Sequence, residues 1–176
     1  NIIEVNISGL QKSLDFCRVN KAKNLIYLSS GSVYDASLKK PSKEISTKIS
    51  LKSHYAFSKY MGEKICEHYT KKLNIKVIVL RLFTIYGENQ TGKVVAKMKN
   101  NILNNQPIIL NDGIGMHFTP IYIKDLVKIL SKFIEQKNST IFDVINVAGN
   151  KMYTLNEVCE MIADITGKEA KFKFSS

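Results

Sequence analysis

The chain has 176 residues and a mass of 19.9 kDa, one domain's worth at roughly 100–200 residues per domain. With 44% hydrophobic and 23% charged residues, nine Gly and three Pro, the composition excludes disordered and fibrous classes, and no apolar run nears the roughly 20 residues that span a bilayer. The net charge of +11 favours anionic partners, but the cations are Lys apart from Arg18 and Arg81. Bidentate reading of bases and phosphates favours guanidinium, so solvated lysine faces are expected rather than nucleic-acid binding.

In chain order, Ile3, Ile7, Leu10, Leu14 and Cys17 step by four and three, which predicts a helix with one buried stripe. The run Asn24-LIYLSS predicts a buried strand that closes in a polar loop at Ser29, Ser30 and Gly31. Asp35 to Ser53, with Lys39, Lys40, Pro41, Lys43, Lys48 and Lys52 among serines, reads as an exposed loop. A helix from His54 to Leu73 follows, then Lys76-VIVLRLF, an apolar run of the kind found where helices cover both faces of a parallel sheet. A helix near Val94 to Asn104, a strand at Pro107-IIL, a helix from Lys124 to about Gln136 and a strand at Phe142-DVINVA come next. Thr154-LNE has capping-box spacing and opens a helix that ends at Gly167. The pattern is α/β, a doubly wound parallel sheet with a smaller second lobe. Asp125 reads as a helix-start residue.

Cys17, Cys66 and Cys159 are widely spaced in apolar helical patterns, which predicts buried free thiols. The opening NIIEVNISGLQK lacks the basic start and apolar core of a secretory signal, so a cytoplasmic setting is expected. The first residue is Asn and a helix already runs from residue 3, so the sequence reads as a piece of something longer.

Chemistry concentrates in Ser29-Ser30-Gly31-Ser32-Val33-Tyr34, at the carboxyl end of a predicted strand where α/β sheets bind ligands. Tyr55-AFS-Lys59 opens the next helix and puts a phenol and an ammonium on one face, four residues apart. Tyr60 and Lys64 repeat the spacing, but Tyr55 follows the loop and can face a cleft, whereas Tyr60 lies mid-helix. A free Tyr has a pKa of about 10, and bringing it near 7 costs about 4 kcal/mol, which a charge supplies only in a closed, partly dry site.

EVNISGLQKSLDFCR, LIYLSSGSVYD, HYAFSKYMGEK, RLFTIYGEN, PIYIKDLV and INVAG followed by TLNEV together resemble the NAD-dependent epimerase/dehydratase family of extended short-chain dehydrogenases, over nearly the whole chain. The resemblance implies a Rossmann-type sheet, with residues 1–90 as a partial NAD(P)-binding domain and 91–176 as a substrate-binding lobe that returns a strand near 142–148. It implies Tyr55 as catalytic acid/base, Lys59 on the nicotinamide ribose, and Ser30 on the reacting sugar oxygen. Ser29, Asn6 and Phe83 would lie about the cofactor, and Ser32, Thr84 and Tyr86 about a nucleotide-sugar substrate. Thr84 stands where the pattern usually has Asn, and Gly115-MHF lacks the Arg with which many relatives clamp the diphosphate. No GxxGxxG or GxGxxG occurs, so the pyrophosphate turn is expected before residue 1, and the last strand and closing segment after Ser176.

The implied activity is that of an NAD- or NADP-dependent nucleotide-sugar epimerase or a reductase of the same family. Gly31-Ser32 stand where 4,6-dehydratases carry Asp-Glu, which disfavours dehydration. The reading from a different class is a non-catalytic relative that binds nucleic acid through its lysines. Homodimerisation is implied through the helices at Ile3 to Cys17 and His54 to Leu73.

Overall fold

Two apolar runs dictate the centre of one of the chain's two units. The computed structural model describes residues 2–35, 37, 39–135 and 141–175. A π-helical turn at Glu4–Ser8 leads into α1 (Gly9–Val19), followed by β1 (Asn24–Ser30), a 3-10 turn at Gly31–Val33, α2 (His54–Leu73), β2 (Lys76–Leu82), β3 (Ile85–Tyr86) and α3 (Val94–Leu103). Then come β4 (Ile108–Asn111), β5 (His117–Phe118), β6 (Ile121–Tyr122), α4 (Ile123–Glu135), β7 (Phe142–Val147), β8 (Tyr153–Thr154), α5 (Leu155–Thr166) and β9 (Phe172–Ser175). The chain forms two compact units, Asn1–Asp35 with Ser42–Phe83 and Ile129–Val147, and Ala36–Pro41 with Thr84–Lys128 and Ala148–Ser176.

In the first unit β1, β2 and β7 make a parallel sheet in the order β1-β2-β7. Residues Val77 to Arg81 of β2 are all buried, as a central strand covered on both faces requires. Leu10, Leu14 and Cys17 of α1 and Cys66 of α2 pack with Tyr27, Val77 and Val79 on one face. On the other face Ile26 and Ile78 line, with Phe133 and Ile134 of α4, a cleft of about 400 Å³ at the amino ends of the strands. The architecture is the expected α/β doubly wound one. Gly62 of α2 lies against the Tyr27 ring, where a Cβ would come within 2.1 Å of the phenol oxygen. Glycine there sets how closely helix and sheet approach.

One expectation fails at the start of the chain. The predicted stripe holds for Leu10, Leu14 and Cys17, but Ile3 is exposed and Ile7 only half-buried. The π turn at Glu4–Ser8 places an extra residue in the turn and rotates Ile3 off the stripe. The Asp35 to Ser53 stretch is a loop, pinned by a bridge between Tyr34 and Ile49, with Ala36 and Leu38 outside the described residues. The α2 boundaries match the predicted ones, and Ser53 caps the helix by accepting the Ala56 N–H at 3.1 Å. The fourth predicted helix is described as far as Glu135, and its expected last residue, Gln136, lies outside the described residues.

The second unit packs α3 and α5 over β4, with Met98, Ile102, Ile108, Leu110, Phe118, Val158 and Cys159 buried together. Its capping box forms as predicted: Thr154 Oγ1 accepts the Glu157 N–H at 3.2 Å, and the Thr154 N–H donates to Glu157 Oε2 at 2.7 Å. Gly167 closes α5 in the left-handed region, with φ of 63°. All three cysteines are free and buried, and burial pushes the Cys66 thiol up to about 12 and Cys159 to about 11. No helix among the described residues is long and apolar enough to cross a membrane.

Candidate active site

The carboxyl end of β1 and the first turns of α2 bring most of the singled-out residues together. Ser30 ends β1 and caps the short turn that follows. Its Oγ accepts the Ser32 N–H at 3.2 Å and the Ser32 hydroxyl at 2.9 Å. A hydroxyl has two acceptor sites and one proton, so Ser30 keeps its proton to donate outward. Tyr55 is the second residue of α2 and 40% exposed, and its phenol takes no hydrogen-bond partner among the described residues.

Lys59, one turn on, carries its ammonium 5.9 Å from the centre of the Tyr55 ring and 5.5 Å from that of Tyr27. It donates to the Leu28 carbonyl at 3.0 Å, the residue before Ser29. Partial burial lowers its pKa, because the charged form loses water that one carbonyl replaces only in part. Two of its three donors remain for a ligand among the described residues, a donor set that suits a vicinal diol such as a ribose. The repeat of this spacing differs: Lys64 is half-exposed, and its hydrogen bond to Glu67 at 3.0 Å raises its pKa.

The other candidates take supporting positions. Asn6 donates from Nδ2 to Ser58 Oγ at 2.9 Å, and Ser58 in turn donates to the Tyr55 carbonyl at 2.9 Å. Phe83 stacks on Tyr34 at 6.2 Å between ring centres and lies on Gly31, where a Cβ would come within 2.9 Å of its ring. Ser29 is buried, with its hydroxyl turned to Glu63 Oε1 at 2.5 Å. Thr84 and Tyr86 belong to the second unit. There the Thr84 carbonyl accepts the Ile121 N–H at 2.8 Å, and the Tyr86 ring lies 5.5 Å from that of Tyr122. Asp125 sits in the first turn of α4 and pairs with Lys128 at 3.4 Å.

Sequence reasoning missed the polar cluster beneath this surface. Arg81 donates from Nε to Glu63 Oε1 at 3.0 Å, from Nη2 to Glu63 Oε2 at 2.6 Å, and from Nη1 to the Tyr34 hydroxyl at 2.6 Å. Burial alone lowers the Arg81 pKa, but the bonds and charge of Glu63, then those of Tyr34, carry it above its ordinary value. The Tyr34 hydroxyl donates to Asn146 Oδ1 at 3.0 Å. A signal was present in the sequence: Arg81 is the only charge inside Val77–Phe83, and a cation in a fully buried strand requires a buried anion.

Residues 1–148 match the NAD dependent epimerase/dehydratase family. A Bacillus subtilis (strain 168) protein named as an uncharacterized UDP-glucose epimerase, YtcB, is 32% identical over 173 residues, 97% of this chain and 53% of its own length. The dTDP-4-dehydro-6-deoxyglucose reductase of Escherichia coli is 33% identical over 124 residues, 68% of this chain and 39% of its own. The crystal structure of UDP-glucuronic acid 4-epimerase from Bacillus cereus, in complex with UDP-glucuronic acid and NAD, superposes with a TM-score of 0.87 at 28% identity, covering 98% of this chain and 55% of that one. The chain spans about half the length of the curated relatives it matches most fully.

Proposed function

Because the chain belongs to the NAD dependent epimerase/dehydratase family, we propose that it carries the catalytic half of an NAD(P)-dependent nucleotide-sugar epimerase, with Tyr55 as acid/base. The observation that carries this reading is an exposed phenol with no hydrogen-bond partner among the described residues, one helical turn from a partly buried ammonium, at the strand end where Ser30 keeps a proton to donate. NAD or NADP, when bound, supplies uptake and return of hydride at a sugar carbon.

The residues divide the remaining work. Lys59 holds the ribose with the donors that the Leu28 carbonyl leaves open. Tyr55 would take the proton of the sugar hydroxyl that is oxidised and return it to the same oxygen when the sugar is reduced again. Ser30 donates to the same oxygen, with Ser32 fixing its direction. Asn6 supports Tyr55 through Ser58, and Phe83 and Ser29 back the cofactor side. Likeness to the reductase supports a second reading, in which the same groups deliver a proton to a sugar carbonyl and hydride is not returned. A homodimer is supported by the apolar side chains Phe16 and Val19, which α1 leaves exposed.

The test is turnover of a panel of UDP- and dTDP-hexoses and their 4-keto forms by the complete protein with NAD and NADP. Epimerisation of a UDP-hexose is expected, and reduction of a 4-keto sugar alone selects the second reading. Tyr55→Phe should lower kcat by about 10²–10⁴-fold with cofactor binding retained. Near-normal kcat in Tyr55→Phe, with loss in Tyr60→Phe, overturns the assignment.

A further inference from the structure

Tyr55, Lys59 and Glu63 recur every four residues along α2 and therefore share one face. Side-chain bonds tie that face to β1, the two shortest being Lys59 Nζ to the Leu28 carbonyl at 3.0 Å and the Ser29 hydroxyl to Glu63 Oε1 at 2.5 Å. The second bond is the buried one. Glu63 is 2% exposed, a place where an unpaired carboxylate is strongly disfavoured, and Arg81 answers it with a bidentate fork at 3.0 and 2.6 Å.

Sheet register explains why these groups meet. Ser29, Arg81 and Asn146 are direct partners across β1, β2 and β7, so their side chains leave the sheet in one row. Tyr34 joins Arg81 to Asn146 through its hydroxyl and follows the turn that carries Ser32. The carboxylate of Glu63 thus binds the helix of the acid/base pair to the row beneath the serine loop.

We propose that Glu63, anchored by Arg81, is a positioning residue: it fixes the place of α2 along β1 and so aims Tyr55 and Lys59. The inference rests on the reading of Tyr55 as acid/base. Stability alone does not account for the pair, because buried ion pairs often give way to apolar residues of equal volume without loss. What a forked, charged bond adds is a fixed distance and angle, where apolar contacts allow a helix to slide. The fork lies one helical turn, about 5.4 Å, from Lys59 and two from Tyr55. A misplacement of about 1 Å at a reacting group costs on the order of 10²-fold in rate.

The test measures kcat, KM and thermal unfolding of the complete protein, using the sugar nucleotide turned over fastest in the panel. The variants are Glu63→Gln and Ser29→Ala, each alone and combined with Tyr55→Phe. Expected are losses of roughly 10- to 100-fold in kcat for Glu63→Gln and a smaller loss for Ser29→Ala, with both KM values within about threefold. On top of Tyr55→Phe neither change should lower the residual rate further, because a positioning residue acts through the group it positions. Where Glu63→Gln fails to fold, Ser29→Ala, which removes one hydroxyl, carries the same test. Unchanged kcat per folded molecule with only a lowered Tm overturns the proposal, as do losses that multiply with that of Tyr55→Phe. An active Tyr55→Phe protein, or no turnover across the panel, overturns the acid/base reading and this inference with it.

Discussion

The two units solve the problem of an interior in opposite ways. The first buries Ser29, Ser58, Glu63, Thr70 and Arg81 among its apolar side chains, and the two charges face each other at 2.6 Å. In the second, Thr119 is the one buried polar residue among those described, and its core runs from Met98 and Ile102 to Val158 and Cys159 without a charge. A polar interior costs desolvation and returns orientation, while an apolar one returns stability and little direction. The residues of the proposed chemistry stand on the unit that accepted the first exchange. Where an interior must aim side chains, it needs bonds with angles.

The contrast can be broken most directly at the ion pair. Arg81→Met leaves Glu63 buried without its partner, and a loss of about 3–5 kcal/mol is expected in urea unfolding. The double change Glu63→Leu with Arg81→Met should recover most of that loss, since neither charge is then orphaned. Activity should not return with stability. A double variant that regains both would show that the polar interior serves packing alone, and the distinction between the units would collapse.

In the second unit the large effect should come from volume instead. Leu110 of β4 is 1% exposed in the cluster that α3 and α5 cover, and Leu110→Ala is expected to cost about 2–5 kcal/mol through lost burial and the cavity left behind. A cost under about 1 kcal/mol would mean that this core is loosely filled. Next in size is the cap of α5. Thr154→Ala removes the acceptor for the Glu157 N–H and should cost about 1 kcal/mol, with Thr154→Ser retaining most of it. Equal losses for the two substitutions would show that the hydroxyl is not the group that matters.

Legibility in the sequence followed the range of the interactions. The α2 limits, the β1 and β2 runs and the Thr154 box could be read because each is decided within a few residues. The strand β9 was missed. Its Phe172-Lys173-Phe174 alternation is too short to stand alone, and it becomes a strand through parallel pairing with β4, more than sixty residues away. The two-residue strands β3 and β6 likewise exist only as each other's partners. The π turn escaped because stepping by three and four fits an unbroken helix equally well. In the candidate site, Tyr55, Lys59 and Ser30 could be singled out because they stand where β1 ends and α2 begins. Glu63 looked like one more charge on a helix, because its burial and its meeting with Arg81 are facts of three-dimensional register.

The smallest effect expected tests the same contrast on the surface of the second unit. Glu88 accepts a hydrogen bond from the Tyr122 hydroxyl and pairs with Lys124 at 3.2 Å, with both charged side chains more than half exposed. The Tyr122 bond first, then a backbone N–H and Lys124, hold its pKa down from 4.5 to about 2. Because the folded value lies below the unfolded one, whatever stability the group contributes is fully present above the ordinary carboxylate range. It is lost as the pH falls from about 4.5 toward about 2. A carboxyl titration followed by NMR should place the Glu88 midpoint well below that of an ordinary Glu, and Tyr122→Phe should move it most of the way back. At about 1 M salt the Debye length is roughly 3 Å, so the Lys124 share should fade while the Tyr122 share persists. The Glu63–Arg81 pair, closed to solvent and ions, should show no matching salt dependence in the stability lost by Arg81→Met. An ordinary Glu88 midpoint that ignores Tyr122→Phe would remove the hydrogen bond from this account, and equal salt sensitivity at both pairs would erase the difference between a charge held inside one unit and a charge held on the surface of the other.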